Sequence, residues 1–139
     1  MHDDIKNEGD DKKGKFIFAN GDVYEGQYEL NNQGSIERHG FGVFTSKDGV
    51  VYHGNWKNDT MNGKGSFIHP SGCKYEGDFV NGKYEGVGKY HWPDGSVYEG
   101  EFKDSKLEGK GWFRDPTGQC WTGRFSGDTA ARLRFKLSM

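Results

Sequence analysis

Proline is scarce, with three in the chain, and no apolar run reaches the roughly 18 residues that a membrane-crossing helix needs. The acidic start Met1-His2-Asp3-Asp4 lacks the charged-then-apolar layout of a signal peptide, so a soluble intracellular protein is expected. There are two cysteines, Cys73 and Cys120, and no Cys-x-x-Cys or His-Glu-x-x-His. The histidines His2, His39, His53, His69 and His91 are scattered, and His69 and His91 are read as a solvated pair ahead of turns, so neither a metal nor another cofactor is expected. Charge of one sign is missing too: 19 basic and 21 acidic residues leave a formal net charge of -2, which disfavours nucleic acid as a partner. No Gly-x-Gly pair opens a helix or precedes Lys-Ser or Lys-Thr, so no phosphate loop is present, and no nucleophile-base arrangement stands out. An enzyme is not expected. Aliphatic residues are also few, since apolar residues make up only 32% of the chain, thin for a globular core of 139 residues.

Aromatics, at 15%, and 23 glycines fill that gap, and both recur at fixed offsets. Tyr52-x-Gly54-x-Trp56, Tyr75-x-Gly77-x-Phe79, Tyr98-x-Gly100-x-Phe102 and Trp121-x-Gly123-x-Phe125 repeat every 23 residues, and Tyr24-x-Gly26-x-Tyr28 stands 28 residues ahead of the first of these. Gly40-x-Gly42-x-Phe44, Gly63-x-Gly65-x-Phe67, Gly86-x-Gly88-x-Tyr90 and Gly109-x-Gly111-x-Phe113 form the second half of the unit. Such a period indicates a repeat architecture. Because the cysteines lie two repeats apart, about 19 Å at ~4.8 Å per strand, they are too distant for a disulfide, which needs Cα atoms within about 7 Å. Reduced thiols are expected.

Residues 1–13 carry five acids and one aliphatic residue and are read as a flexible acidic tail. Residues 14–128 form the repeat rod, starting with the half-unit Gly14 to Gly21. Each unit holds two runs of period-two alternation, the mark of a strand with one packed and one wet face. Lys47-Asp48-Gly49, Pro70-Ser71-Gly72, Pro93-Asp94-Gly95 and Pro116-Thr117-Gly118 supply tight turns between units, and Asn81-Gly82 supplies a hairpin turn within one. Links this short force antiparallel pairing. The expected fold is all-β: an elongated, twisted antiparallel meander of stacked hairpins in one layer, about 45 to 50 Å long for ten or eleven strands. The first unit departs from the pattern, with Asn31 to Ser35 lengthening its loop by five residues, read as a tolerated surface loop. In residues 129–139, Leu133, Phe135 and Leu137 alternate with Arg132, Arg134 and Lys136, which predicts a capping strand.

Glycine leaves bare patches on one face, where the rings can lie across the backbone and against one another, each burying roughly 150 to 250 Å². A ladder of rings then replaces a core, and stability accumulates unit by unit. The other face, with Glu25, Glu76, Asp78, Glu99 and Glu101 against Lys64, Lys89 and Lys110, reads as solvated.

Tyr-x-Gly-x-aromatic, a short hairpin, Gly-x-Gly-x-aromatic and then Asp-Gly resembles the MORN repeat, in register from Gly14 to Phe125. The ending Thr129 to Met139 is similar, more loosely, to the tail of a small animal member of that family. The resemblance implies a hairpin solenoid that binds or assembles other proteins; related repeats occur in radial-spoke proteins of cilia and flagella, in junction proteins under membranes and in lipid kinases. On that basis the chain is expected to be a scaffold in the cytoplasm, associated with the cytoskeleton or an axoneme of a cilium or flagellum.

The expected partner is a segment of another protein laid along the ring-lined groove. Candidate contacts are Tyr24, Tyr28, Tyr52, Trp56, Tyr75, Phe79, Tyr98, Phe102, Trp121 and Phe125, with Trp92 and Trp112 off the main ladder as exposed interface markers. The alternative is weak binding to anionic lipid through Arg132, Arg134 and Lys136, with Arg124 nearby. Free sheet edges also permit end-to-end self-association.

Overall fold

The structure, a computed structural model, describes residues 12–128 together with 135 and 136. Among the described residues eleven strands follow in chain order: β1 (Lys13–Ile17), β2 (Val23–Leu30), β3 (Ile36–Thr45), β4 (Val51–Lys57), β5 (Thr60–Ile68), β6 (Lys74–Val80), β7 (Lys83–His91), β8 (Val97–Lys103), β9 (Lys106–Arg114), β10 (Cys120–Asp128) and β11 (Phe135–Lys136). They form one sheet whose spatial order is the sequence order, so the fold is the expected open antiparallel meander. The acidic tail, residues 1–11, lies outside the described residues. Of the capping strand, only Phe135 and Lys136 are described, paired with Phe125 and Arg124.

Two kinds of turn build it. Between units, Gly49 donates to Ser46 O while Ser46 donates to Val50 O, and the same pair of bonds recurs at Phe18, His69, Trp92 and Asp115. A closing glycine with φ near 100° makes this tight return possible. Within units, Asn58-Asp59, Asn81-Gly82 and Asp104-Ser105 all place two residues at positive φ. Only Asn81-Gly82 is evident from sequence. Asn and Asp tolerate that conformation, and in the third pair Ser105 is held there while its Oγ accepts from Tyr84 N. In the first hairpin, two of the five extra residues extend the ladder as Leu30 opposite Ile36, and the loop proper is Asn31 to Ser35. Asn31 organises it by accepting from both Gln33 N and Ser35 N through Oδ1.

The register explains the spacing Gly-x-Gly. Within each hairpin the pairing shifts between Gly26 and Tyr28, Gly54 and Trp56, Gly77 and Phe79, and Gly100 and Phe102. One first-strand residue there faces three of the second strand, and the middle one is Gly40, Gly63, Gly86 or Gly109, with φ between 82° and 113°. The first glycine of each pair therefore makes a bulge, whereas pairing between units stays regular. The second glycine lies under a tyrosine: a Cβ on Gly42, Gly65, Gly88 or Gly111 would strike the phenol of Tyr24, Tyr52, Tyr75 or Tyr98.

Candidate functional site

Each of those tyrosines donates its hydroxyl to the carbonyl three residues on, the residue opposite the bulge: Gln27 (2.6 Å), Asn55 (2.7 Å), Asp78 (2.8 Å) and Glu101 (3.1 Å). The hydroxyl thus satisfies an acceptor at the point where the ladder is interrupted. Pinned at both ends, the rings form a continuous edge-to-face series: Tyr24, Trp56, Tyr52, Phe79, Tyr75, Phe102, Tyr98, Phe125. Successive centroids lie 5.0 to 5.4 Å apart. Every Trp or Phe in it touches the tyrosine of its own unit, of the preceding unit, or both, so each unit completes its neighbour. Burial raises the phenol pKa to about 12 at Tyr24, Tyr52, Tyr84 and Tyr98, and further at Tyr75.

This packing corrects the expected contact set. Tyr24, Tyr52, Tyr75 and Tyr98 have 0% of their surface accessible, and Trp56, Phe79, Phe102 and Phe125 are buried as well. These eight rings offer a partner almost nothing. Among the candidates only Tyr28, edge-on to Phe16, and Trp121, stacked near Phe113, stay half-buried. On the ring-bearing face, accessible apolar surface comes instead from Phe44, Met61, Phe67, Tyr84 and Trp92, partly buried and packed on the ladder. Their signal was the aromatic after Gly-x-Gly and the residue two before it, passed over because first-strand rings look equivalent in sequence. Trp92 is also corrected: two residues after Tyr90 it keeps the same face, with its ring 4.8 Å from Tyr90 and 5.9 Å from Phe113. Trp112 lies off the ladder, paired with Glu99 and Thr122 on the opposite face, but it is half-buried there rather than exposed.

A cavity of about 240 Å³ opens on the aromatic face between the first two units, lined by Phe44, Val50, Tyr52, Trp56, Met61 and Phe67, with Arg38, Asp59, Thr60 and Gly82 completing it. Arg38 occupies the position that Met61, Tyr84 and Leu107 hold in later units. Its guanidinium lies over Trp56 (4.4 Å) and Phe44 (5.4 Å), and its Nε donates to Asp59 Oδ1 at 2.7 Å. Burial acts to raise the Asp59 pKa, but hydrogen bonds from the Arg38 side chain and backbone N–H outweigh it and hold the carboxyl below its usual value. The hairpin turn of the second unit is thereby clasped to the first, since Asp59 N also donates to Arg38 O. Gly82 and Ser105 repeat that backbone clasp on Met61 and Tyr84.

The wet face carries small ion-pair groups rather than a site. Lys64 meets Asp78 at 2.7 Å, and Glu76 receives Lys74 at 3.1 Å and His91 at 3.3 Å. His69 bonds Ser71 instead of His91. Among the described residues no three His, Cys, Asp or Glu gather as metal ligands, and no helix is long and apolar enough to cross a membrane. Cys73 and Cys120 are free thiols. Of the lipid candidates, Arg132 and Arg134 lie outside the described residues. Lys136 pairs with Arg124, which pairs on its other side with Lys110, giving one basic cross-strand row.

The MORN repeat family model matches residues 13–23, 37–51, 52–74, 75–97 and 98–120. The chain belongs to the MORN repeat family. MORN repeats are in general non-enzymatic modules that bind proteins or lipids. The three full MORN matches each start at a ladder tyrosine and end at the residue before the equivalent position of the next unit, Tyr75, Tyr98 or Trp121, and the gap between 23 and 37 covers the loop of the long first hairpin. No curated protein matches this MORN chain, so the looser likeness of residues 129–139 to a small animal member gains no support.

Proposed function

We propose that the protein is a non-enzymatic scaffold whose aromatic face receives a segment of another protein, with the cavity beside Arg38 taking one large apolar side chain. The observation that carries this reading is the cavity itself. Apart from Arg38, Asp59 and Thr60 its lining is apolar, it lies over the ring ladder, and an anchored apolar side chain in such a recess is the usual centre of a protein interface. Rigidity lowers the ordering cost of binding. We place the scaffold in a cytoplasmic cytoskeletal or axonemal assembly, a setting supported by related repeats in radial-spoke proteins.

The test is photo-crosslinking in cells from an analogue placed at Phe67 and, separately, at Val87 on the exposed wet face. A discrete adduct from position 67 and none from 87, abolished by Met61→Asp, supports the proposal; adducts from 87 alone overturn it.

A second reading, attachment to anionic lipid, is favoured by the row Lys110, Arg124 and Lys136. Each such base near a charged membrane contributes about 1 kcal/mol. Vesicles rich in phosphatidylserine should then sediment the protein at low salt, and Lys110→Glu with Arg124→Glu should abolish this. Unchanged sedimentation by that variant rules the row out.

A further inference from the structure

Resting on the reading of the cavity as the seat of an apolar anchor, we infer that Arg38 selects which segment binds: it favours segments that carry an Asp or Glu side chain beside that anchor. Position 38 breaks the pattern of its unit. At the equivalent places Tyr84 stacks on Tyr75 with ring centroids 4.0 Å apart and Leu107 is fully buried, so an apolar side chain there completes the ladder. A guanidinium in that place forgoes this packing, and such a departure from the local rule is expected where a residue serves binding.

Arginine carries five N–H donors in a planar fork. Asp59 takes one side of it, with Oδ1 accepting from Nε at 2.7 Å and the backbone oxygen accepting from Nη2 at 3.1 Å. The end of the fork, both N–H of Nη1 and the second of Nη2, has no acceptor among the described residues. Its plane is held in place, since the guanidinium carbon lies 4.4 Å from the centre of the Trp56 ring and the Arg38 backbone N–H also donates to Asp59 Oδ1. A fork held on one side and open at its end matches the two oxygens of a carboxylate, which it binds about twice as strongly as a neutral carbonyl. Because Arg38 and Asp59 together carry no net charge, selection comes from the geometry of the fork. Arg38 also lines the cavity, so an anchor seated there strips it of further water and leaves the open donors in need of an acceptor from the segment. Asp59 offers the converse, a seat for a basic residue, but its side chain is 46% exposed against 20% for Arg38, so water screens a pair made there more strongly. The cavity lies on the open aromatic face between two units, where a segment crossing it continues on both sides, so the carboxylate comes from a side chain rather than a chain end.

Short random peptides displayed on phage and selected on the full chain test this. Each selected peptide is measured by fluorescence anisotropy against the wild type, against Arg38→Met, and against Met61→Tyr, which sets in the cavity wall the ring that the next unit carries as Tyr84. Both variants are checked for a native near-ultraviolet spectrum. Peptides whose binding Met61→Tyr abolishes should carry an Asp or Glu beside a large apolar residue. Changing that acid to its amide, or Arg38 to Met, should each weaken binding about tenfold, and both together no more than either alone. Arg38→Lys keeps the charge without the fork, so the preference for the acid should fall there too, and its full retention overturns the geometry. Cavity-bound peptides with no acid, with a basic residue instead, or with an acid that Arg38→Met leaves equally well bound overturn the role of Arg38 while the apolar anchor stands. If no selected peptide responds to Met61→Tyr, the anchor itself falls and the role of Arg38 with it.

Discussion

Arg38 lies with its guanidinium carbon 4.4 Å from the centre of the Trp56 ring, while its Nε is held by Asp59 at 2.7 Å. A cation thus occupies a place that an apolar side chain fills in the three later units. Asp59 is nearly half exposed, so the ion pair itself contributes no more than about 0.5–1 kcal/mol after solvent screening, and the stacking on Trp56 about 1 kcal/mol more. Arg38→Ala should lower stability by about 1–2 kcal/mol in urea titration, and Arg38→Met by less, because Met keeps the apolar stem over the ring. The Asp59 carboxyl has a lowered folded pKa, so its contribution is present above the unfolded value of 3.8 and is lost as the pH falls through the still lower folded value. The acid limb of the Arg38→Met stability profile should therefore be flatter than that of the wild type.

Tyr75→Phe removes one hydroxyl and leaves the Asp78 carbonyl, opposite the bulge, without its donor. Loss of a partner for a partly buried acceptor costs about 1–3 kcal/mol. Tyr98→Phe should cost less, since its bond to Glu101 O is longer at 3.1 Å. Urea midpoints of the two variants check the order.

Raised phenol pKa values give a second pH dependence of opposite sense. Unfolded tyrosine ionises near 10, but Tyr24, Tyr52, Tyr84 and Tyr98 are pushed up to about 12 by burial. The folded state therefore holds these protons longer, and stability that is complete below pH 10 is lost as the pH rises from there through 12. Tyrosinate absorbance should appear in one steep step together with loss of far-ultraviolet β signal. A gradual phenol titration that precedes unfolding would contradict the packing.

The loop of the long first hairpin does not reach the cavity: no residue from 31 to 35 lines it. Replacing Asn31–Ser35 by Asn-Gly, a turn suited to a two-residue hairpin, should change stability by less than about 0.5 kcal/mol. Crosslinking from Phe67 should be unaffected. Loss of the adduct in this variant would assign the loop a binding role.

The sheet, its order and its between-unit turns were legible because period-two alternation and closing glycines are local signals. The bulge was not. Gly-x-Gly reads as two equivalent glycines, yet Gly86 bends the strand and Gly88 makes room for Tyr75, a distinction that exists only once the register shift beside Asp78 is known. The same gap hid the site. Tyr75 and Phe67 look alike as ladder rings in sequence, but the hydroxyl bond draws Tyr75 down onto the backbone and out of reach, while Phe67 has no such tether and keeps part of its face open. Arg38 was overlooked because a lone basic residue in an aromatic pattern gives no hint that it stacks on Trp56. Trp92 was misplaced although its spacing from Tyr90 already fixed the side.

The alternation of bulged pairing inside hairpins and regular pairing between them has a consequence for how the protein can vary. Each unit presents to the next the same edge it receives from the one before, so when a whole 23-residue segment such as 75–97 is duplicated or removed, the same regular between-unit backbone pairing can re-form at the joint. Length is then a quantity that changes in steps of two strands, about 9.6 Å at ~4.8 Å per strand, with the ends unaltered. The molecule is built as a ruler whose graduation can be reset by copying.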